Sequence, residues 1–330
     1  MRRALLQCHN VGAVCLRARR WRTGIYLGLL LTVVSVAPAV AKEQSARVIR
    51  YPEMGSEVDQ RNDYFVQMLK LALGKTRGSE GDFQLEPVAL NVPQGRILRM
   101  LSVGDQVDVL WSMTSRERER YLRPVRIPLT KGLTGYRLLI IRQMDADEFS
   151  DIQTAEQLAE QTAGQEEDWP DTQILRHNRL PVTTSGYLAL FTMLHRERID
   201  YIPRAMVEPW AELARRPELN LVVAPNLLLH YPSASYFFVQ QDNEALAARL
   251  ERGLEKALAD GSFDRLFYGY SGHQIMFHRS NVHQRRILRL ENPLLPEKTP
   301  LDRKALWWHP DDHDSETLGA EASGTVNGLQ

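Results

Sequence analysis

The stretch from Arg96 to Arg142 constrains the fold most, because three signals follow one another in it. A short amphipathic helix, with Ile97, Leu98 and Leu101 on one side, stops at Gly104. Val107-Asp108-Val109-Leu110 then has the β-branched, apolar character of a buried strand, and it runs into Trp111-Ser112-Met113-Thr114 and the charged run Ser115-Arg116-Glu117-Arg118-Glu119-Arg120. Helix, buried strand and polar edge make an α/β unit, and open α/β sheets bind ligands outside the carboxyl ends of their strands. The edge here offers a backbone turn, two hydroxyls and several guanidinium groups.

The amino terminus has the layout of an export signal. Residues 1–23 carry six Arg and no acid, an apolar segment runs from Gly24 to Val36, and Ala39-Val40-Ala41 supplies the small residues of a signal-peptidase site. Cleavage after Ala41 is expected, giving a periplasmic protein; the alternative is an uncleaved anchor, since the uncharged span is near the minimum for crossing a bilayer. Removing 1–41 leaves 35 basic against 41 acidic side chains, a net charge of −6 where the whole chain has 41 of each. Such a chain has no case for binding nucleic acid. Cys8 and Cys15 leave with the signal, so no disulfide, thiol nucleophile or thiolate metal site is expected. About 289 residues remain, enough for two domain-sized cores.

Alternating elements follow. Arg47–Tyr51 reads as a strand, Asp63 as the cap of a helix carrying Phe65, Met68, Leu69, Ala72 and Leu73, Thr76 to Asp82 as a polar turn, and Phe83 to Leu90 as a second strand. This βαβαβ order predicts a parallel sheet with helices on its faces. From Leu138 to Ile141 the chain is expected to cross into a second lobe. There Thr154–Gln161 reads as a helical fragment, Gly164–Asp171 as an acidic loop, Ile174-Leu175-Arg176 as a short strand, and Ser185 as the cap of a helix through Leu194. A strand at Ile199–Ile202, a helix over about 207–214 and a strand at Leu219–Ala224 precede a return crossing at Ala234–Gln240. Glu244–Ala259 is a helix by propensity and Leu spacing, and another is expected over Asn281–Leu290. The expected organisation is a signal peptide at 1–41, a first lobe at 42–137, a second at 138–233, a return with a C-terminal extension at 234–310, and a disordered tail at 311–330.

The ordered set Val103-Gly104-Asp105-Gln106-Val107-Asp108-Val109, Thr114, Arg118-Glu119, Val125-Arg126-Ile127-Pro128-Leu129 and Gly135–Ile141 resembles the first lobe of the periplasmic solute-binding proteins of polar amino acid transporters. The helix at Glu244–Ala259 with Gly261-Ser262-Phe263 resembles the close of that fold, so the resemblance covers about residues 46–270, with 271–310 as an extra segment wrapping the outside. It implies a two-lobed α/β fold with two hinge crossings and a ligand held in the cleft between lobes. It also implies a small-molecule solute as ligand, a membrane permease or sensor as partner, a monomeric state and no cofactor.

Arg118 matches the Arg that holds a ligand carboxylate in this family, and a guanidinium suits a two-pronged pair with that group. A solvated helix face is the plain alternative, with Arg116 the next candidate. Ser112 and Thr114 would add hydroxyls to the same carboxylate, or serve only the turn. Tyr51 would form a pocket wall, or an ordinary strand end. Thr183, Thr184, Ser185 and Gly186 sit at an expected helix start, where free N–H groups favour anions. The family's ammonium-pairing Asp, about five residues beyond the position of Asp200, is missing here. Either Glu208 replaces it, or the solute lacks an α-ammonium group and Arg204 reads a second negative charge; the expected solute is anionic, a carboxylate without an α-ammonium group or an acidic amino acid. The nine His show no metal-ligand spacing and no Gly-x-Ser-x-Gly elbow occurs, so an enzyme is not expected. A sensory protein on the same fold is the runner-up, and a dehydratase-like enzyme on it the third reading.

Overall fold

In the computed structural model the described residues are 46–54, 62–90 and 92–311. The signal-like segment, both cysteines and residues 312–330 lie outside them.

The chain begins with β1 (Arg47–Met54), α1 (Asn62–Gly74), a short α2 (Arg77–Glu80) and β2 (Phe83–Leu90). β1 and β2 pair in parallel, from Arg47 opposite Phe83 to Met54 opposite Leu90. The apolar stripe read from α1 is the buried one: Phe65, Met68, Leu69, Ala72 and Leu73 all enter the main core. α3 (Gln94–Ser102) buries Ile97, Leu98 and Leu101, as their spacing predicts.

The next strand starts later than its sequence suggests. β3 is Leu110–Met113, whereas Val107–Val109 run beside β1 without joining a regular ladder. The cause is Asp108: its carboxylate accepts the Arg50 backbone N–H (2.8 Å) and the Arg50 guanidinium (2.9 and 3.0 Å), while the N–H groups of Asp108 and Val109 both donate to the Arg50 carbonyl. A side chain thus replaces part of the ladder. The charged run becomes the one-turn helix α4 (Arg118–Tyr121), followed by β4 (Leu122–Val125).

β5 (Tyr136–Arg142) lies between β8 (Ile202–Ala205) and β9 (Leu221–His230), antiparallel to both. Between them come α5 (Ala146–Asp151), α6 (Ala155–Leu158), β6 (Ala163–Gln165), α7 (Pro170–His177), β7 (Val182–Thr184) and α8 (Tyr187–His195), and α9 (Pro209–Ala214) joins β8 to β9. α6 has a complete capping box made by Thr154 and Gln157. Several expectations fail in this half: the strand read at Ile199–Ile202 lies three residues later as β8, and the acidic loop read from Gly164 begins inside β6. Ile174-Leu175-Arg176 lies inside α7, which Pro170 starts; two adjacent apolar residues carry no period from which helix and strand could be told apart. Gly186, not Ser185, takes the cap position of α8.

β10 (Ser235–Gln240) returns to the first half and pairs antiparallel with both β3 and β4. α10 (Glu244–Ala259) packs its Leu246, Leu250, Leu254 and Ala257 into the same core as α1. α11 (Ser262–Gly269) and α12 (Ser271–Ser280) follow. The helix expected over Asn281–Leu290 is a correction: Asn281 takes a left-handed conformation (φ 46°), and Arg286–Arg289 form β11, parallel to β9. An open sheet edge decides the conformation there, which local propensity does not reveal. Nor does the segment after residue 270 merely wrap the outside, because Met276, Val282, Leu306 and Trp308 belong to the main core.

Candidate functional site

Arg118 stands at the start of α4, just beyond the carboxyl end of β3, and its side chain is buried. Its Nη1 donates to Ser112 Oγ (2.6 Å) and the Met113 carbonyl (2.7 Å), and its Nη2 donates to Gln94 Oε1 (3.0 Å) and the Asp168 carbonyl (3.2 Å). Every one of these acceptors is neutral. Among the described residues no carboxylate lies within ion-pair distance of this guanidinium, and burial lowers its pKa below the ordinary arginine value.

The Asp168 carbonyl comes from the loop before α7, so Arg118 joins the first half of the chain to the second. Asp168 also closes on α3, since a Cβ at Gly95 would lie 2.6 Å from Asp168 Oδ2. Between α3, α4 and this loop lies a cavity of about 530 Å³, bordered by Arg99 and Arg118 on one side, Glu167, Asp168 and Trp169 on the other, and Leu294 at the rim. Glu167 accepts from Arg176 (3.3 Å), and Thr184 also bonds it. Burial and the neighbouring Asp168 raise the Glu166 carboxyl above its usual range.

Deeper in the second half, charges are paired. Arg204 on β8 donates through Nε to both Glu212 oxygens (3.0 Å each) and through Nη2 to Oε1 (2.6 Å), and its guanidinium lies 4.7 Å from the centre of the Trp169 ring. Burial disfavours this cation, but the Glu212 carboxylate outweighs it and the pKa ends raised. Glu208 turns back so that Oε2 accepts the Ala205 N–H (2.8 Å) and lies 3.1 Å from Arg204 and 4.0 Å from Arg137. Arg137, on β5, pairs with Asp171 (2.6 Å), and Tyr231 donates its hydroxyl to the same carboxylate.

Of the residues expected at a site, Ser112 and Arg118 are in direct contact, and Arg204 touches Glu208. Arg204 does not present an open charge: Glu212, which the sequence reading did not single out, holds it. Thr114 donates to Glu119 (2.7 Å) rather than facing Arg118. Tyr51 lies half-buried against Trp111, 6.2 Å between ring centres. Thr184 ends β7, Ser185 follows it, and neither lines the cavity. Arg137 and Asp171 were also missed, although an Arg inside the apolar run Tyr136–Ile141 is itself a sign of a buried partner. The described residues contain no acid, His or Cys group that could hold a metal ion, and no helix long and apolar enough to cross a membrane.

No protein-family model and no curated protein sequence matches this chain. Solved structures do. An ancestral arginine-binding protein bound to glutamine aligns at a TM-score of 0.53 and 15% identity, over 68% of this chain and 98% of its own. An arginine-specific periplasmic binding protein of Salmonella typhimurium aligns at 0.51 and 16%, over 67% and 97%. A histidine kinase sensor domain with similarity to periplasmic binding proteins aligns at 0.50 and 17%, over 68% and 95%. The chain has the two-lobed α/β fold of the type II periplasmic binding proteins.

Proposed function

We propose that this protein is an exported solute-binding protein, cleaved after Ala41, that encloses a small zwitterionic solute such as an amino acid. Arg118 anchors the solute carboxylate and Glu208 its ammonium group. One observation carries the reading: Arg118, buried on the lining of the cavity, gives its hydrogen bonds to neutral acceptors and so suits a solute carboxylate. Glu208 stands in a carboxylate-rich cluster with Asp171 and Glu212, which suits an ammonium group. Since Glu212 holds Arg204, Glu208 is the better choice for the missing ammonium partner. The protein would hand its solute to a membrane permease; a membrane sensor is the alternative partner.

Calorimetry against a panel of amino acids and simple carboxylates tests this. The wild type should prefer a zwitterion; Arg118→Ala should weaken binding by about 2–5 kcal/mol, and Glu208→Gln should weaken zwitterions but spare carboxylates lacking an amine. Equal affinity of Arg118→Ala and wild type would overturn the assignment.

A further inference from the structure

The search for a second function leads to the C-terminal segment, which begins where the resemblance to solute-binding proteins ends. After α11 the chain does not stay with the first half. α12 reaches the second: Arg279 lies 4.9 Å from the centre of the Trp210 ring, beside α9. β11 then adds to the edge of β9, and Glu291 is fastened to the end of α7, where Asn178 donates to its carbonyl (2.8 Å) and accepts its N–H (3.0 Å).

The same segment returns to the first half. The Arg116 N–H donates to Leu294 (2.9 Å), and Arg116 Nε to Leu295 (3.2 Å), while Asn292 donates to the Pro232 carbonyl (2.8 Å) just before the return crossing. It ends with the Trp308 N–H on the Lys131 carbonyl (2.8 Å) and the Trp307 ring on Gly132. Gly132 has φ +78°, and a Cβ there would lie 2.5 Å from the Trp307 ring, so this dock accepts no side chain. In a two-lobed protein the two strand crossings alone form the hinge, and closure is a population shift between open and closed states. Here a third connection, bonded at both ends, runs beside them.

We propose that residues 271–308 are a clasp that holds the two halves closed whether or not a solute is present, and that solute enters by local release of the clasp at Leu294, on the rim of the cavity. This goes beyond the solute reading and stands without it, because the first measurement uses no solute.

The test uses the exported protein with single cysteines for spin labels at Val103 and Met144, exposed positions in the two halves; where residues 1–41 are retained, Cys8 and Cys15 are replaced by Ser. A protease site is inserted between Pro293 and Leu294, between the attachments to the second half and the bonds to Arg116. Before cutting, the distance distribution should be single and narrow, with or without amino acids. After cutting it should broaden toward longer distances. The pair Arg116→Ala and Asn292→Ala, which removes side-chain bonds without touching the core, should shift it the same way by a smaller amount. Two populations in the uncut, solute-free protein would overturn the proposal, as would a distribution unchanged by both the cut and the double substitution. If the cut protein opens but no amino acid closes it again, the clasp stands and the solute reading fails.

Discussion

Glu212→Gln asks whether the arginine of the second half belongs to the protein or to a solute. Wild-type Glu212 Oε1 accepts from Arg204 Nε, Arg204 Nη2 and the Tyr187 hydroxyl, and Oε2 accepts from Arg204 Nε as well. The side chains of Arg204 and Glu212 are 4% and 9% exposed, so water screens the pair little. Removing one partner of a buried ion pair costs about 3–5 kcal/mol, because the other charge is left behind. Two features reduce that here: the amide keeps one acceptor, and Glu208 Oε2 stays 3.1 Å from the guanidinium. A loss of about 2–4 kcal/mol remains. Each kcal/mol shifts the midpoint of a domain this large by roughly 2–4 °C, so thermal unfolding should fall by roughly 5–15 °C. The freed Arg204 should then take an anion, and sulfate should stabilise the variant more than the wild type. A melting temperature within about 1 °C of wild type, with no added response to sulfate, would refute the claim that Glu212 neutralises Arg204.

Two further outcomes follow from single features. Burial lowers the His273 pKa from 6.5 to about 4, opposed by the bond between Nδ1 and the Phe267 carbonyl (2.7 Å). The unfolded chain therefore takes up this proton first, so the stability contributed by the neutral ring is complete above about pH 6.5 and is lost as pH falls toward 4, a change of at most about 3 kcal/mol. Melting curves at pH 7.5 and 4.5 should show a smaller drop for His273→Gln than for wild type; an equal drop would place the sensitivity elsewhere. The exported protein should begin at Lys42 and contain no cysteine, and an intact mass that retains residues 1–41 would point to an anchor.

What the sequence reveals of the fold depends on whether an element's reason lies within itself. α1 and α10 carry their buried faces in their own spacing, and β2 has the bounds read for it, although Asp63 lies in the first turn of α1 rather than at its cap and the polar turn before β2 holds the short α2. β11 has its reason elsewhere: its partner β9 lies some sixty residues earlier, and nothing within Arg286–Arg289 records an available edge. β3 is misplaced by three residues for a similar cause. Val107–Val109 look like strand because they are buried, but the Asp108 carboxylate carries out the pairing with β1.

The site divides along the same line. The place of Arg118 on the cavity lining can be read from the sequence because it follows from position, just past the end of a strand, and that rule needs no partner. Arg204 cannot be judged alone, since its meaning changes with Glu212, eight residues away on another element. Any acid within reach on the next helix would have removed Arg204 from the list of solute contacts, and both Glu208 and Glu212 lie on that side of β8. Arg137 makes the converse point. A cation inside an otherwise apolar strand must have a buried counter-ion, and the only open question is which acid supplies it. Asp171 does so from the first turn of α7, the helix misread as a strand. The error in secondary structure and the missed ion pair are therefore one error, because an Asp one residue after the initiating proline faces inward only if Pro170 begins a helix.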